Sequence, residues 1–436
     1  MATTAAERRA GAVAGLLAFA VAGIVVSCAP AAPPETPVPE PEPVPGYPAP
    51  AAESAEPTLR VGLAVGAASA TIGGGAPLAV RDAAGAKVAE IGAAETWRIS
   101  AQGVGLQLVG PTGAGAGTGG AVAVAPQESG QPIRVNGREY RGEVEVVPDR
   151  TGFTVINRVG LESYVVGVVS AEMGRRAPED LEAVRAQSVV SRTYALRNRG
   201  RWRAQGFDLY ATVADQVYGG VGAETVEARE AVSGTRGMIL TYGGQPIDAF
   251  FYSTCGGTTA DGTEVFRAAD RPYLRSIPDV GADGTAYCSL SPRFRWREEW
   301  TGASLQTTLR RTLPPVAGVA ASDVGDVRDV WVARRTASGR VGELVVALAG
   351  IDARVSGPAV RQVLRPQSGE LLRSSAFTLT TTGAGRRVTR LVADGGGAGH
   401  GVGFCQWGAV GRSRAGQDYR QIVAAYYPGA QLERLY

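Results

Sequence analysis

Residues 161–198 hold two helical patterns set between long stretches of strand-like runs, and each pattern carries a charge where its repeat calls for core. In the first, Leu161, Val165 and Val168 recur on one side of a 3.6-residue repeat, and Glu172 takes the next position on that stripe. In the second, Leu181, Val184, Ser188 and Ala195 share a face with Arg192, with Pro178 in the first turn and Gly200 beyond the last. A carboxylate and a guanidinium turned inward must be paired or used, because an unsatisfied buried charge is costly. Chemistry is therefore expected at this helical pair. Glu162, one register off the stripe, is expected in solvent, as are Glu179, Asp180 and Glu182 at the start of the second helix, where they suit the helix dipole.

The flanks read as β-structure. Leu59–Leu63, Glu143–Val147, Phe153–Ile156, Met238–Tyr242, Ile247–Ser253 and Val341–Val346 are strand candidates, with further helices at Glu224–Val232 and Tyr419–Tyr426. Gly110 to Gly120 offers no side chain to pack and reads as a mobile loop. No internal repeat is visible. The expected class is α+β, a β-rich shell around a small helical centre. Residues 58–158 form the β-rich part and 159–436 the remainder, within which 302–393 carries no recognised motif. At 436 residues the chain can hold one large or two ordinary cores.

The first 57 residues read as address and spacer. Arg8 and Arg9 precede an apolar run from Gly11 to Val26, too short to span a bilayer comfortably. The run ends in Val25-Val26-Ser27-Cys28, which resembles a bacterial lipobox, so 1–28 is expected to be a lipoprotein signal with lipid on Cys28. Residues 29–57 are Pro, Ala and Glu with almost no bulky apolar side chain, an extended tether of reach about 80 Å at roughly 3.1 Å per residue. The expected location is extracytoplasmic and anchored to a membrane. Net charge is +3 with acids and bases interspersed, which argues against a nucleic-acid partner.

His400 is the single histidine of the chain, which removes histidine-rich metal sites and leaves triad chemistry only through that residue. It lies in Gly399-His400-Gly401-Val402-Gly403, where it reads equally as a substrate contact and as a turn residue bonded to backbone. Beyond Cys28 the cysteines are Cys255, Cys288 and Cys405. An exported chain is expected to pair two of them, and Cys255 with Cys288 is the favoured disulfide. A structural zinc ion held by the three cysteines with His400 is the less favoured alternative; no cofactor is required and no metal site is assigned. Burial would raise the pKa of Glu172, as a general acid near neutrality needs, while direct contact with Arg192 would oppose that shift.

Five segments together resemble the SpoIID/LytB family of bacterial cell-wall proteins. They are Leu161-Glu162-Ser163-Tyr164 with Ala171-Glu172-Met173; Arg185-Ala186-Gln187 with Ser191-Arg192-Thr193-Tyr194-Ala195; Asp215-Gln216-Val217-Tyr218-Gly219-Gly220; Ser253-Thr254-Cys255-Gly256-Gly257; and Gly399-His400-Gly401-Val402-Gly403 with Gln406-Trp407-Gly408-Ala409, followed by Tyr426-Tyr427-Pro428-Gly429. The likeness covers about residue 122 onward, with 302–393 as a divergent insertion. It implies a glycan-binding cleft and a lytic transglycosylase that cleaves between N-acetylmuramic acid and N-acetylglucosamine in peptide-stripped peptidoglycan strands, leaving 1,6-anhydro ends. The family's catalytic acid maps onto Glu172. Arg192, Gln187, Gln216, Tyr218, Ser253, Thr254, His400 and Gln406 map as candidates for holding the glycan.

One carboxyl suffices for that reaction, since the sugar's own C6 hydroxyl attacks, whereas ordinary glycosidases need two. Two positions depart from the family pattern: Tyr252 replaces a more usual His, and Cys405 a more usual Ser. A metal site of relatives is therefore not carried over. LytB relatives are named as modifiers of a wall amidase, so the alternative is a glycan-binding module that stimulates such an amidase without turnover.

Overall fold

The computed structural model describes residues 55–113, 115–266 and 270–436. Cys28, the apolar run before it and nearly all of the expected tether lie outside these residues. Among the described residues no helix is long and apolar enough to cross a membrane.

Alternating residues in the N-terminal part build two sheets. One has seven strands in the order Leu209–Tyr210, Thr58–Ala67, Phe153–Gly160, Glu143–Pro148, Val122–Pro126, Leu78–Asp82, Lys87–Ile91. The other has six, in the order Arg138–Tyr140, Ile133–Val135, Ser69–Gly74, Thr96–Gln102, Gly105–Val109, Gly115–Thr118. Inward residues of both, including Leu59, Val61, Ile72, Ile99, Val124 and Val155, join one core with the helices that follow. Gly115–Thr118 lies inside the segment expected to be a mobile loop. Backbone pairing with Gly105–Val109 orders it, and a ladder needs no large side chains.

Strand 153–160 runs straight into helix α1 (Leu161–Met173). Gly160 has no side chain to cap it, and the cap comes from the last residues assigned to the tether. Pro57 O accepts from Leu161 N at 2.9 Å, and Glu56 Oε1 accepts from Glu162 N at 2.9 Å. Glu56 also pairs with Arg236 at 2.7 Å, so the chain is docked by Glu56 and a tether must end before it. α1 is buried on nearly every side: Tyr164, Val166 and Val169 are as enclosed as the expected stripe. Helix α2 (Leu181–Arg197) is buried from Ala186 through Ala195, and α3 (Val226–Gly234) packs beside both. Helices Gln406–Arg414 and Tyr419–Tyr426 complete this centre, the latter entered through a capping box of Asp418 and Gln421.

Between these halves, residues 296–393 wrap a second core of Trp300, Leu305, Leu309, Leu344, Val355 and Leu391. Two three-stranded sheets and the helix Gly302–Thr312 enclose it. The architecture is α+β, strands around a helical centre, as expected. The strand expected over Ile247–Ser253 shrinks to Phe251–Tyr252, which pairs in parallel with Phe404–Cys405.

Candidate functional site

That short parallel pairing assembles the site. Bridges Thr254 to Ala398 and Ala260 to Val402 extend it, laying the Ser253–Gly257 segment along the Gly-rich turn. Gly403 has φ +76°, and a Cβ there would lie 2.4 Å from Phe250 O, so only glycine lets the two strands approach. The helix Gln406–Arg414 then starts with its first residue over the end of α1. Gln406 Nε2 donates to Glu172 Oε2 at 3.1 Å, and Trp407 N donates to Ser253 O at 3.0 Å.

Glu172 is half-buried. Burial pushes its carboxyl above the usual carboxylate value; the bonds from Gln406 and from the Val217 amide pull the other way without cancelling it. Both donors are neutral. The result is a carboxyl held up in pKa, aimed by a neutral amide and still reachable from solvent.

Arg192 does not meet Glu172. It is fully buried, and its guanidinium grips Glu162 with Nε to Oε1 at 2.9 Å and Nη2 to Oε2 at 2.7 Å, a bidentate pair completed by Met238 O at 3.0 Å. The expectations for both residues are corrected together. Glu162 is not solvated, since α2 and the C-terminus cover it, and Arg192 has no atom left for a glycan. Burial raises the Glu162 carboxyl, but Arg192, the Tyr436 hydroxyl and the Gly237 amide more than offset this and leave it below the usual value. Asp180 is likewise buried, paired with Arg414 at 2.7 Å.

Several other candidates are buried and bonded within the protein, though Gln187 Oε1 and Gln216 Nε2 have no hydrogen-bond partner among the described residues. Gln187 is fully buried and bonds Ser191 at 2.9 Å; Gln216 is buried and accepts from Tyr164 at 3.3 Å. Tyr218 is buried and donates to Asn157 at 3.1 Å. Thr254 is buried against Ser291, the two hydroxyl oxygens 2.7 Å apart, while Ser253 is half-buried at the edge of the site. His400 spends both ring nitrogens on backbone: Nδ1 accepts from Val402 N at 3.1 Å, so Nε2 donates to Phe251 O at 2.9 Å. Desolvation among Phe250, Tyr252 and Phe266 pulls its pKa down to about 4, and the turn reading of this residue is the one that fits. Of the expected set, Gln406 alone is shown touching Glu172.

Arg176, in the loop just past the end of α1, was not singled out by the sequence; its guanidinium stacks on Trp407 at 4.6 Å. Cys255 and Cys288 do come together, but as free thiols 3.3 Å apart, and Cys405 and Asp279 join them. His400 is not part of that cluster.

The SpoIID family profile, described as Stage II sporulation protein, matches residues 149–242, and a domain of unknown function (DUF8618) matches residues 288–403. The chain is 30% identical over 300 residues to Stage II sporulation protein D of Bacillus subtilis, covering 65% of this chain and 77% of that protein. An uncharacterized protein of Brachyspira hyodysenteriae is 30% identical over 311 residues, 70% of this chain and 75% of that one. The Amidase enhancer of Bacillus subtilis is 26% identical over 301 residues, 61% of this chain and 40% of the relative.

Proposed function

The chain belongs to the SpoIID/LytB family of bacterial cell-wall proteins, and from that premise we propose that it is a lytic transglycosylase of peptidoglycan. Its substrate is the bond between N-acetylmuramic acid and N-acetylglucosamine in strands already stripped of stem peptides. One observation carries the reading: Glu172 is a carboxyl raised in pKa by burial, yet hydrogen-bonded only through neutral donors.

In its protonated form, which burial favours, Glu172 donates its proton to the glycosidic oxygen as the bond to the muramic C1 breaks. The carboxylate left behind accepts the proton of the C6 hydroxyl, whose oxygen closes on C1. No water is activated, so no second carboxylate is required, and the attack is intramolecular. The other carboxylates of the matched motifs are engaged elsewhere. Glu162, at the opposite end of α1, is committed to Arg192, and Asp215, whose side chain is fully enclosed, is committed to Arg201 and Trp202.

The test is mass spectrometry of products from peptide-free glycan strands, with Glu172→Gln alongside. Anhydro-ended fragments that fall by about 10²- to 10⁴-fold in the variant are the expected result. Reducing ends would mean that water attacks. Retained binding without cleavage in either protein would favour the second reading, a glycan-binding enhancer of a wall amidase, which the likeness to the Amidase enhancer supports.

A further inference from the structure

Three sulfurs and a carboxylate meet beneath the site, and the reaction above uses none of them. Cys255 Sγ lies 3.3 Å from Cys288 Sγ and 3.2 Å from Asp279 Oδ2, and the four ligand-type atoms of Cys255, Asp279, Cys288 and Cys405 fall within 4.8 Å of one another. All four residues are buried. Backbone amides ring the sulfurs: Cys255 N and Gly408 N donate to Cys405 at 3.1 and 3.2 Å, Gly257 N donates to Cys255 at 3.3 Å, and the Gly256 and Gly257 amides face Cys288. Such donors favour thiolate over thiol.

The carboxylate is held as a ligand would be. Arg412 Nε donates to Asp279 Oδ1 at 3.0 Å, and the Tyr426 hydroxyl donates to Oδ2 at 2.9 Å, leaving Oδ2 a further lone pair toward Cys255. Gly408 makes the approach possible, since a Cβ there would lie 2.1 Å from Asp279 Oδ2.

We infer that Cys255, Asp279, Cys288 and Cys405 form a structural zinc site. Three thiolates and a carboxylate suit a borderline-soft ion, and a set closed at four ligands is the structural pattern. With Zn–S near about 2.3 Å, tetrahedral edges are about 3.8 Å, within the span the four atoms already occupy. The thiol protons leave to solvent on binding. Arg412 and the amides offset the surplus negative charge. The ion ties the segment after strand 251–252, the Asp279–Cys288 loop and the start of helix 406–414 together, and so fixes Gln406 against Glu172.

The experiment is metal analysis with thiol titration of the full chain carrying Cys28→Ser, so that Cys255, Cys288 and Cys405 alone report, purified without reductant and followed by exchange into cobalt. About one zinc per chain, no titratable thiol until the protein is denatured with chelator, and sulfur-to-cobalt charge-transfer absorption are expected. Tyr426→Phe, which leaves every ligand in place, should weaken zinc about 10- to 100-fold. A metal-free chain with three reactive thiols overturns the site. So does one free thiol with the other two appearing only on reduction, which would mean a Cys255–Cys288 disulfide. Zinc retained undiminished in Cys405→Ser would also overturn it. None of these readouts needs a glycan, so failure of the transglycosylase reading leaves this test intact.

Discussion

Gln406 reaches across 234 residues of sequence to donate its side-chain amide to Glu172 at 3.1 Å. The bond does two things at once: it aims the carboxyl, and it moderates the rise in pKa that burial imposes. Removing it in Gln406→Ala should let the Glu172 pKa rise further. If Glu172 is the general acid, the alkaline limb of the pH–rate profile should move to higher pH, since the lost hydrogen bond favoured the charged form. Turnover at the optimum should fall as the aim is lost. An unmoved limb would place Glu172 outside the proton transfer.

The same raised pKa has a consequence for stability. A carboxyl whose folded pKa lies above its unfolded value binds more protons in the folded state, so the native state loses stability as pH rises through that window. Glu172→Gln removes the penalty. Urea denaturation should find the variant more stable than the parent at about pH 8, with the gap closing toward about pH 4. A variant less stable at the alkaline end would contradict the desolvated carboxyl.

Arg192 and Glu162 form a pair whose side chains are 0% and 10% exposed, so breaking it strands a charge in the core. Arg192→Ala should cost about 3–5 kcal/mol of stability. The double variant with Glu162→Gln should recover part of that loss, because the orphaned carboxylate is gone. Denaturant midpoints check both. A glycan contact at Arg192 would instead raise KM with little effect on the midpoint.

The identity of the helices was legible from local periodicity, and so was the α+β class. What they bury was less so. The stripe Leu161, Val165, Val168, Glu172 made Glu162 look exterior, but α1 is enclosed on almost every side, and a helix apolar all round has no solvent face to assign. Arg192 was correctly placed inside, yet its partner depends on how α1 and α2 pack, which no repeat encodes. The link from Gln406 to Glu172 runs through the pairing of Phe251–Tyr252 with Phe404–Cys405, two strands of two residues, too short for alternation to announce. The family motifs pointed to both ends of that bond. Asp279 carried no signal of any kind, since a lone Asp after a Pro reads as a turn.

The pKa of His400 is shifted in the opposite sense to that of Glu172, and so is its contribution to stability with pH. Desolvation holds its pKa at about 4, below the value of 6.5 for an exposed imidazole, so between these the unfolded chain binds a proton that the folded one does not. Stability therefore rises with pH through that window and is lost as pH falls from about 6.5 toward 4, by on the order of 3 kcal/mol if this group acted alone. Protonation would also force Nδ1, which accepts from Val402 N, to become a donor facing another donor. His400→Gln, which keeps one donor and one acceptor without a titrating proton, should flatten the acid side of the stability profile. Activity near neutrality should change little, because the imidazole is neutral there and both of its nitrogens are committed to backbone. A large loss of turnover at neutral pH in a stably folded His400→Gln would instead return this residue to the glycan.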